Sequence, residues 1–426
     1  MRRADKLSPA LFVFALVFLA FGYGIVAGMW NLPPAPGLRT LYAQALDLGR
    51  YWKNDFGLEA NRHLVPAYTQ RRERFAVHDA RSMPAGRLLV TGLTPERAAL
   101  NSMIMYDSRG RELHVWPVDY ERIDPDGPDP ENVFLHGVEI FEDGSIIVAF
   151  DEGNVLARID ACGNPQWVIR GKFHHAVSRS HDGTLWTWKD DSMVQIDPAN
   201  GRLLREISLT EDLLKRHGMQ GVLALQTEES PDGLVLSVDA FHPNHIEVLS
   251  PERAAAFPLF AAGDLLISLR SLNLVAVLDP GRLEFKWWRI GPWHRQHNPH
   301  FTRDGTIIVY NNNMNFGRSD ILEVDPVTDR VDVVFGGSDT LPFYSWRRGK
   351  HQQFDDGSLL VTESEHGRAF LIDAGGRLIW EYNNIYDEDR NGVLAEVRLV
   401  PSGFFRADAF ACADGASRWR TPDSVP

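Results

Sequence analysis

One stretch, "HGVEIFEDGSIIVAFDEGNVLARIDACGNPQWVI" from His136, restricts the fold more than any other feature. It holds four short runs of strand-forming residues separated by turn residues. The runs "GVEIFED" and "SIIVAF" meet at Asp143-Gly144, and Asp-Gly between alternating runs is the strongest short-range hairpin signal. The loop "DEGN" then leads to "VLARID", and "ACGN" leads to "PQWVI". Four short antiparallel strands in a unit of this size make one blade of a β-propeller.

The unit recurs. A turn glycine is followed by an aspartate at Gly86 with Asp107, Gly144 with Asp160, Gly183 with Asp197, Gly263 with Asp279, Gly305 with Asp325, and Gly357 with Asp373, the spacing staying between 14 and 21 residues. Six units predict an all-β chain folded as a six-bladed β-propeller of four-stranded blades over residues 73–400. The long interval between Gly183 and Gly263 holds a helical segment near "TEDLLKRHG" and leaves room for a degenerate seventh blade. The C-terminal "AEVRLVPSGFF" offers a strand that closes the ring, with residues 401–426 as a C-terminal strand and tail.

Ahead of the repeats the texture differs. The segment "MRRADKLSPALFVFALVFLAFGYGIVAGMWNLPPAPG" has a basic end (Arg2, Arg3, Lys6) and then no charged side chain from Leu11 to Trp30. A run of about 20 apolar residues matches the hydrocarbon thickness as a helix, and basic flanks stay cytoplasmic. The apolar cores of cleavable signal peptides are shorter, about 7 to 15 residues. Residues 1–10 are therefore read as cytoplasmic, 11–30 as a transmembrane helix and 31–72 as a membrane-proximal helical stalk. The propeller is expected on the periplasmic side of the inner membrane. The net charge of −13 argues against nucleic-acid binding. Only two cysteines occur, Cys162 and Cys412, so one disulfide is the most the chain can form.

Histidines recur in register with the blades. Seven residues before the first turn of a unit stand His78, His136, His175 and His297. In a propeller the first strand of each blade lines the central channel, so a residue at its start lies at one channel mouth. The loop from the second to the third strand returns to that mouth, which brings Arg270, Asn311 to Asn313 and His366 there. The fourth unit substitutes an earlier pair, His242 and His245, and the sixth offers His351. His300 lies three residues further along its strand. Neither a P-loop nor a G-x-G-x-x-G occurs, nor H-E-x-x-H, and the acids near the histidines fall mostly in hairpin turns. No cofactor and no metal are expected.

The motifs "KFHHAVSRSHDG", "DAFHPNHIEVL", "LLISLRSLNLVAVLD", "RQHNPHFTRDGTIIVYNNN" and "GKHQQFDDGSLLVTESEHGRAFLID", in this order over about residues 170 to 375, resemble the bacterial arylsulfotransferases, which use no nucleotide sulfate donor. The resemblance implies a channel histidine that takes the sulfuryl group of an aryl sulfate ester and passes it to a phenol. It makes His297 of "QHNP" the nucleophile, with His242 of "FHPN", Arg270, and His175 of "FHHAV" as further catalytic residues. His174, the one-residue alternative to His175, is expected to contact substrate, as are His136, His300, His351 and Asn311. Trp293, Phe301 and Tyr344 are candidates to stack on the aryl group. The chain departs from the family's soluble periplasmic members in carrying an anchor and stalk where they have an N-terminal β-domain. The competing reading is a non-catalytic envelope propeller that binds or assembles other proteins.

Overall fold

The computed structural model describes residues 4–30, 32–34, 38, 63–69, 73–94, 101–223, 227–228, 235–236 and 239–411. The chain divides into two compact units, Met1–Arg62 and His63–Pro426. In the first, Ala4–Met29 is a helix, and its segment Leu11–Met29 is long and apolar enough to cross a membrane. Within it, Tyr23 Oη donates to the carbonyl of Pro33, just past the helix end. Most of the expected stalk, residues 39–62, lies outside the described residues.

The second unit is built from six sheets of four or five strands, which are the blades. Blade 2 runs Phe134–Ile140, Ile146–Asp151, Val155–Ile159 and Pro165–Arg170, and blade 3 runs Phe173–Arg179, Leu185–Lys189, Ser192–Ile196 and Leu203–Ser208. Blade 4 is Pro243–Val248, Leu265–Leu269, Leu274–Asp279 and Glu284–Ile290, and blade 5 is His297–Phe301, Ile307–Asn311, Asp320–Val324 and Val331–Phe335. Blade 6 is Lys350–Gln353, Leu359–Glu363, Arg368–Ile372 and Leu378–Asn383, with Phe75–Val77 added as a fifth, outer strand. Blade 1 combines the two ends of the unit: Leu394–Val400 is its inner strand, followed outward by Arg87–Leu93, Asn101–Tyr106 and Glu112–Val118. The first strand of every blade touches the first strand of the next, and Leu394–Val400 touches Phe134–Ile140 to complete the ring.

The ring closure corrects one reading of the sequence. The strand before the Gly86 turn comes from the C-terminal end of the unit, and His78 follows the outer strand of blade 6, with its amide on the carbonyl of Ile379. His78 therefore does not share the channel position of His136, His175 and His297. The interval before blade 4 holds a short helical segment, Leu209–Lys215, and a two-residue hairpin of Thr227–Glu228 with Val235–Leu236, so no seventh blade forms among the described residues. Leu64–Pro66, placed in the stalk by the sequence, pairs with Arg390–Gly392 and belongs to the propeller unit.

Local chemistry explains the repeat. At Asp143-Gly144 the glycine takes φ +81° and the Asp143 carboxylate accepts the Ser145 amide, which pins the hairpin. The second recurring aspartate has a similar task between the third and fourth strands. Asp107, Asp160, Asp197, Asp279, Asp325 and Asp373 each accept a backbone N–H from the residue two positions on. They are turn makers.

Each interface between blades is its own apolar core. Met103, Met105 and Trp116 of blade 1 pack with Val148 and Phe150 of blade 2, Trp186 and Trp188 of blade 3 with Leu265 and Ile267 of blade 4, and Leu88 and Val90 of blade 1 with Leu371 and Trp380 of blade 6. Full burial of such a side chain contributes about 1.5–3 kcal/mol. The inner strands approach so closely that a Cβ on Gly137 would stand 2.2 Å from the carbonyl oxygen of His175.

Because blade 1 has no inner strand without Leu394–Val400, a chain ending at Gly392 is expected to lose its cooperative thermal transition in circular dichroism. A truncated chain melting at the temperature of the intact one would show that the strand is dispensable.

Candidate functional site

The inner strands begin irregularly. Five of the six carry a register shift near their first residues: between Leu135 and Gly137, His174 and Val177, Pro243 and His245, His297 and His300, and Leu394 and Glu396. A β-bulge leaves an unpaired residue and re-aims its side chain. Those at or beside the shifts include His136, His175, Asn244, His297, Asn298 and Ala395, which line one small cavity on the channel together with Arg348, Gly349 and Lys350. His175 also belongs to a wider cavity of about 420 Å³, shared with His174, His242, Asp239, Asp151 and Asp190. His175, His242 and Asn298 adopt positive φ (62°, 47° and 47°). Such strain in non-glycine residues clusters at functional sites.

The hydrogen bonds define which nitrogen of three imidazoles carries the proton. His297 Nδ1 is 2.7 Å from Asn312 Oδ1. The amide nitrogen of Asn312 donates to the carbonyls of Ser345 and Arg348, at 2.6 and 2.9 Å. The Asn312 oxygen therefore faces the ring, His297 donates through Nδ1, and its Nε2 holds the lone pair. For His175 the chain is longer. His174 Nε2 donates to the carbonyl of Asp190 at 2.9 Å, so His174 Nδ1 accepts, 2.8 Å away, from His175 Nδ1. His242 donates through Nδ1 to the Asp239 carboxylate at 2.7 Å. Each of the three rings thus keeps Nε2 as an acceptor.

These rings converge. The His175 ring lies 4.2 Å from that of His136 and 5.0 Å from that of His242, centroid to centroid. Burial drives the basicity of His297 well below the usual imidazole range, the Arg270 charge adds to the effect, and the hydrogen bond to Asn312 opposes it. His175 and His136 are also held neutral by burial, His175 further by its histidine neighbours. Arg270 opens the loop after Leu265–Leu269, and its amide donates to the carbonyl of His242. Burial and the nearby Arg295 charge bring its guanidinium down to about 10 while Asp239 pulls the other way. Among the described residues the Arg270 Nε is buried without a partner, and the one side-chain hydrogen bond, from Nη2, goes to Met314 Sδ at 3.8 Å. An arginine with unspent donors beside neutral imidazoles is suited to an anion of distributed charge.

The structure therefore gathers His136, His174, His175, His242, His297 and Arg270, and separates three other candidates from them. His300 and His351 line a different cavity, where the Asp304 and Gly357 turns lie. Asn311 spends its side-chain oxygen on the His294 and Asn313 amides. Two of the three aromatic candidates are corrected too. Trp293 and Phe301 are buried in the core between blades 4 and 5, and His366, stacked on Tyr68, bonds to the carbonyl of Pro66. Phe150 and Phe173 are the rings that line the wider cavity. Sequence reasoning missed Asn312 and Asp239. Asn312 lay in the quoted "NNN", but only its backbone partners show which asparagine holds His297.

A family model described as "Arylsulfotransferase (ASST)" matches residues 137–385, from blade 2 to the end of blade 6. No curated protein matches the chain. Among solved structures, a protein of unknown function from Bacteroides caccae aligns with a TM-score of 0.47 at 11% identity, covering 74% of this chain and 99% of that one. TolB from Acinetobacter baumannii aligns at 0.44 and 12% identity, over 74% and 67%. Virginiamycin B lyase from Staphylococcus aureus aligns at 0.35 and 13%, over 58% and 69%.

Buried neutral imidazoles couple folding to pH. His136, His175, His245, His297 and His351 are all held well below the ordinary value by burial. The unfolded chain takes up protons at about 6.5 and these folded sites do not, so their stabilisation is complete above that pH and is lost as pH falls. Glu363, pushed up to about 7, and Glu139, also raised, act in the opposite sense. His114, His174 and His366 are lowered as well, so the imidazoles outnumber the raised carboxylates and the melting temperature is expected to drop between pH 7 and pH 5. A steady or rising value would contradict the neutral assignments.

Proposed function

The chain belongs to the arylsulfotransferase family, and on that premise we propose that it moves a sulfuryl group from an aryl sulfate ester to a phenol through His297. The observation that carries the reading is the pairing of a lone-pair Nε2 on His297, set by Asn312, with the unspent guanidinium of Arg270.

In the first half-reaction His297 Nε2 attacks sulfur. The N–S bond forms, the S–O bond to the aryl group breaks, and the phenolate leaves with the electron pair. Charge spreads over the sulfuryl oxygens as this happens, and Arg270 supplies donors to them. The Nδ1 proton of His297 stays on the ring, donated to Asn312 Oδ1, so the sulfohistidine carries a positive ring that remains a good leaving group. In the second half-reaction the acceptor phenol loses its proton to His242 Nε2, whose ring is oriented by Asp239. The phenol oxygen then bonds to sulfur as the N–S bond breaks. His175, whose proton is fixed on Nδ1 by His174, offers a second acceptor nitrogen close by. A non-catalytic scaffold gives no reason for three imidazoles to share one tautomer around a half-used arginine.

The same proposal places the propeller outside the cytoplasm, anchored by the apolar helix. Cys162 is disulfide-bonded, which favours an oxidising compartment, and the basic residues precede the apolar run. Cys412, the other cysteine of the sequence, lies outside the described residues.

The test is the full chain in detergent with 4-nitrophenyl sulfate, excess phenol and no nucleotide. Nitrophenolate release with ping-pong kinetics is expected, and His297→Asn should lower it by about 10³-fold or more. Quenched wild type should carry one added SO₃ on the peptide containing His297. A folded His297→Asn that turns over at the wild-type rate would remove the nucleophile.

Arg270 also bears on the pH profile. Burial first and the Arg270 charge second depress the basicity of His297, and the reaction needs the neutral ring, so activity persists above the His297 pKa and is lost below it. Arg270→Gln raises that pKa and should shift the acidic limb of kcat/KM to higher pH besides slowing turnover. A limb that stays in place would separate Arg270 from His297.

A further inference from the structure

Three histidines and a glutamate outside the proposed sulfuryl-transfer site come together on the inner strands of blades 4, 5 and 6. His245 and Glu247 are two residues apart on Pro243–Val248, which puts them on one face of the strand. His300 comes from His297–Phe301 of the next blade, and His351 from Lys350–Gln353 of the blade after. One ligand atom each from His245, Glu247 and His300 lies within 4.8 Å of the others. The His245 and His300 rings stand 4.9 Å apart and nearly perpendicular, and the His351 ring is 5.3 Å from His300.

Hydrogen bonding leaves this cluster incomplete. Among the described residues, His245 Nε2 and both ring nitrogens of His351 are buried without a partner, in residues only 6% and 5% exposed. Buried polar atoms in native proteins are nearly always paired, so such orphans point to a missing ligand. Glu247 is held in place from behind. One oxygen accepts from Arg253 at 3.1 Å, and the other from the Phe301 amide at 3.0 Å and His300 Nδ1 at 3.2 Å. Support of this kind orients a metal-binding carboxylate. The Lys350 charge near His245 is balanced by Glu396, 3.2 Å from its Nζ. A cavity of about 380 Å³ that includes Glu247, His300 and His351 gives an ion and its waters access.

We propose that His245, Glu247 and His300 bind a divalent first-row transition-metal ion, with His351 positioned to join them, and that the ion ties blade 4 to the adjacent blade 5. Two imidazoles and one carboxylate form a donor set that zinc accepts while keeping positions open for water or a fourth ligand. The ion takes the place of the proton that His300 shares with Glu247. This differs from the expectation drawn from the sequence, which found no metal motif, because the ligands come from separate blades.

The test is titration of Zn²⁺ alone into the full chain in detergent after chelator stripping, by calorimetry, with thermal unfolding followed in parallel. Wild type should bind one ion per chain and melt at a higher temperature with Zn²⁺ present, since an ion bound only by the folded state stabilises it. His245→Gln and His300→Gln should each weaken binding by at least tenfold and lose the thermal shift. If the buried His245→Gln does not fold, the partly exposed His300→Gln carries the test, with Glu247→Gln beside it. Absence of stoichiometric binding to wild type would overturn the proposal. So would binding that survives these substitutions and disappears in His242→Gln, which would place the ion among the other histidines.

Discussion

Closure of the ring is the constraint on which the rest depends. Leu394–Val400 pairs with Arg87–Leu93, so the inner strand of blade 1 arrives from the far end of the unit and touches the inner strand of blade 2. Only a closed ring gives every blade two neighbours. Each apolar interface, from Trp116 against Phe150 to Leu88 against Trp380, then becomes a buried core of its own. Trp116 Nε1 also donates across the first interface to the carbonyl of Gly144. The channel exists because six such wedges meet at their narrow ends, and its width follows from contacts as tight as that between Gly137 and the His175 carbonyl.

Irregularity at those narrow ends creates the chemistry. A regular strand would alternate side chains between the two neighbouring cores, where an imidazole would be costly. The bulges at the starts of five inner strands turn residues such as His136, His175 and Asn298 onto the channel instead. There they are buried yet oriented by partners: a side-chain amide for His297, a carboxylate for His242, a second imidazole and a carbonyl for His175. The partners differ in charge: a neutral amide faces His297, and a carboxylate faces His242.

Some of this was legible in the chain. Asp-Gly hairpins are local signals, so the blades could be counted from residues such as Asp143-Gly144 and Asp304-Gly305. The recurrence of His136, His175 and His297 at one offset pointed to a shared place in the architecture, and Arg270 was placed in the correct loop. His78 shows what an offset leaves open. Its offset matched, but an offset cannot tell that the strand before Gly86 belongs to a different blade. His300 and His351 fail in a related way, because the direction of a side chain along an inner strand depends on whether a bulge precedes it.

By itself the sequence determined the strand lengths, the turns and the number of blades, because those follow from the conformational preferences of adjacent residues. It also determined that an apolar helix precedes them. The tertiary structure alone decided which strands lie beside which, which histidines share a cavity, and which nitrogen of each ring keeps its lone pair. Those outcomes rest on contacts between residues far apart in the chain, such as Asn312 with Ser345 and Arg348, or Glu247 with His300. Such contacts depend on packing distances of a few tenths of an ångström, which no local pattern records.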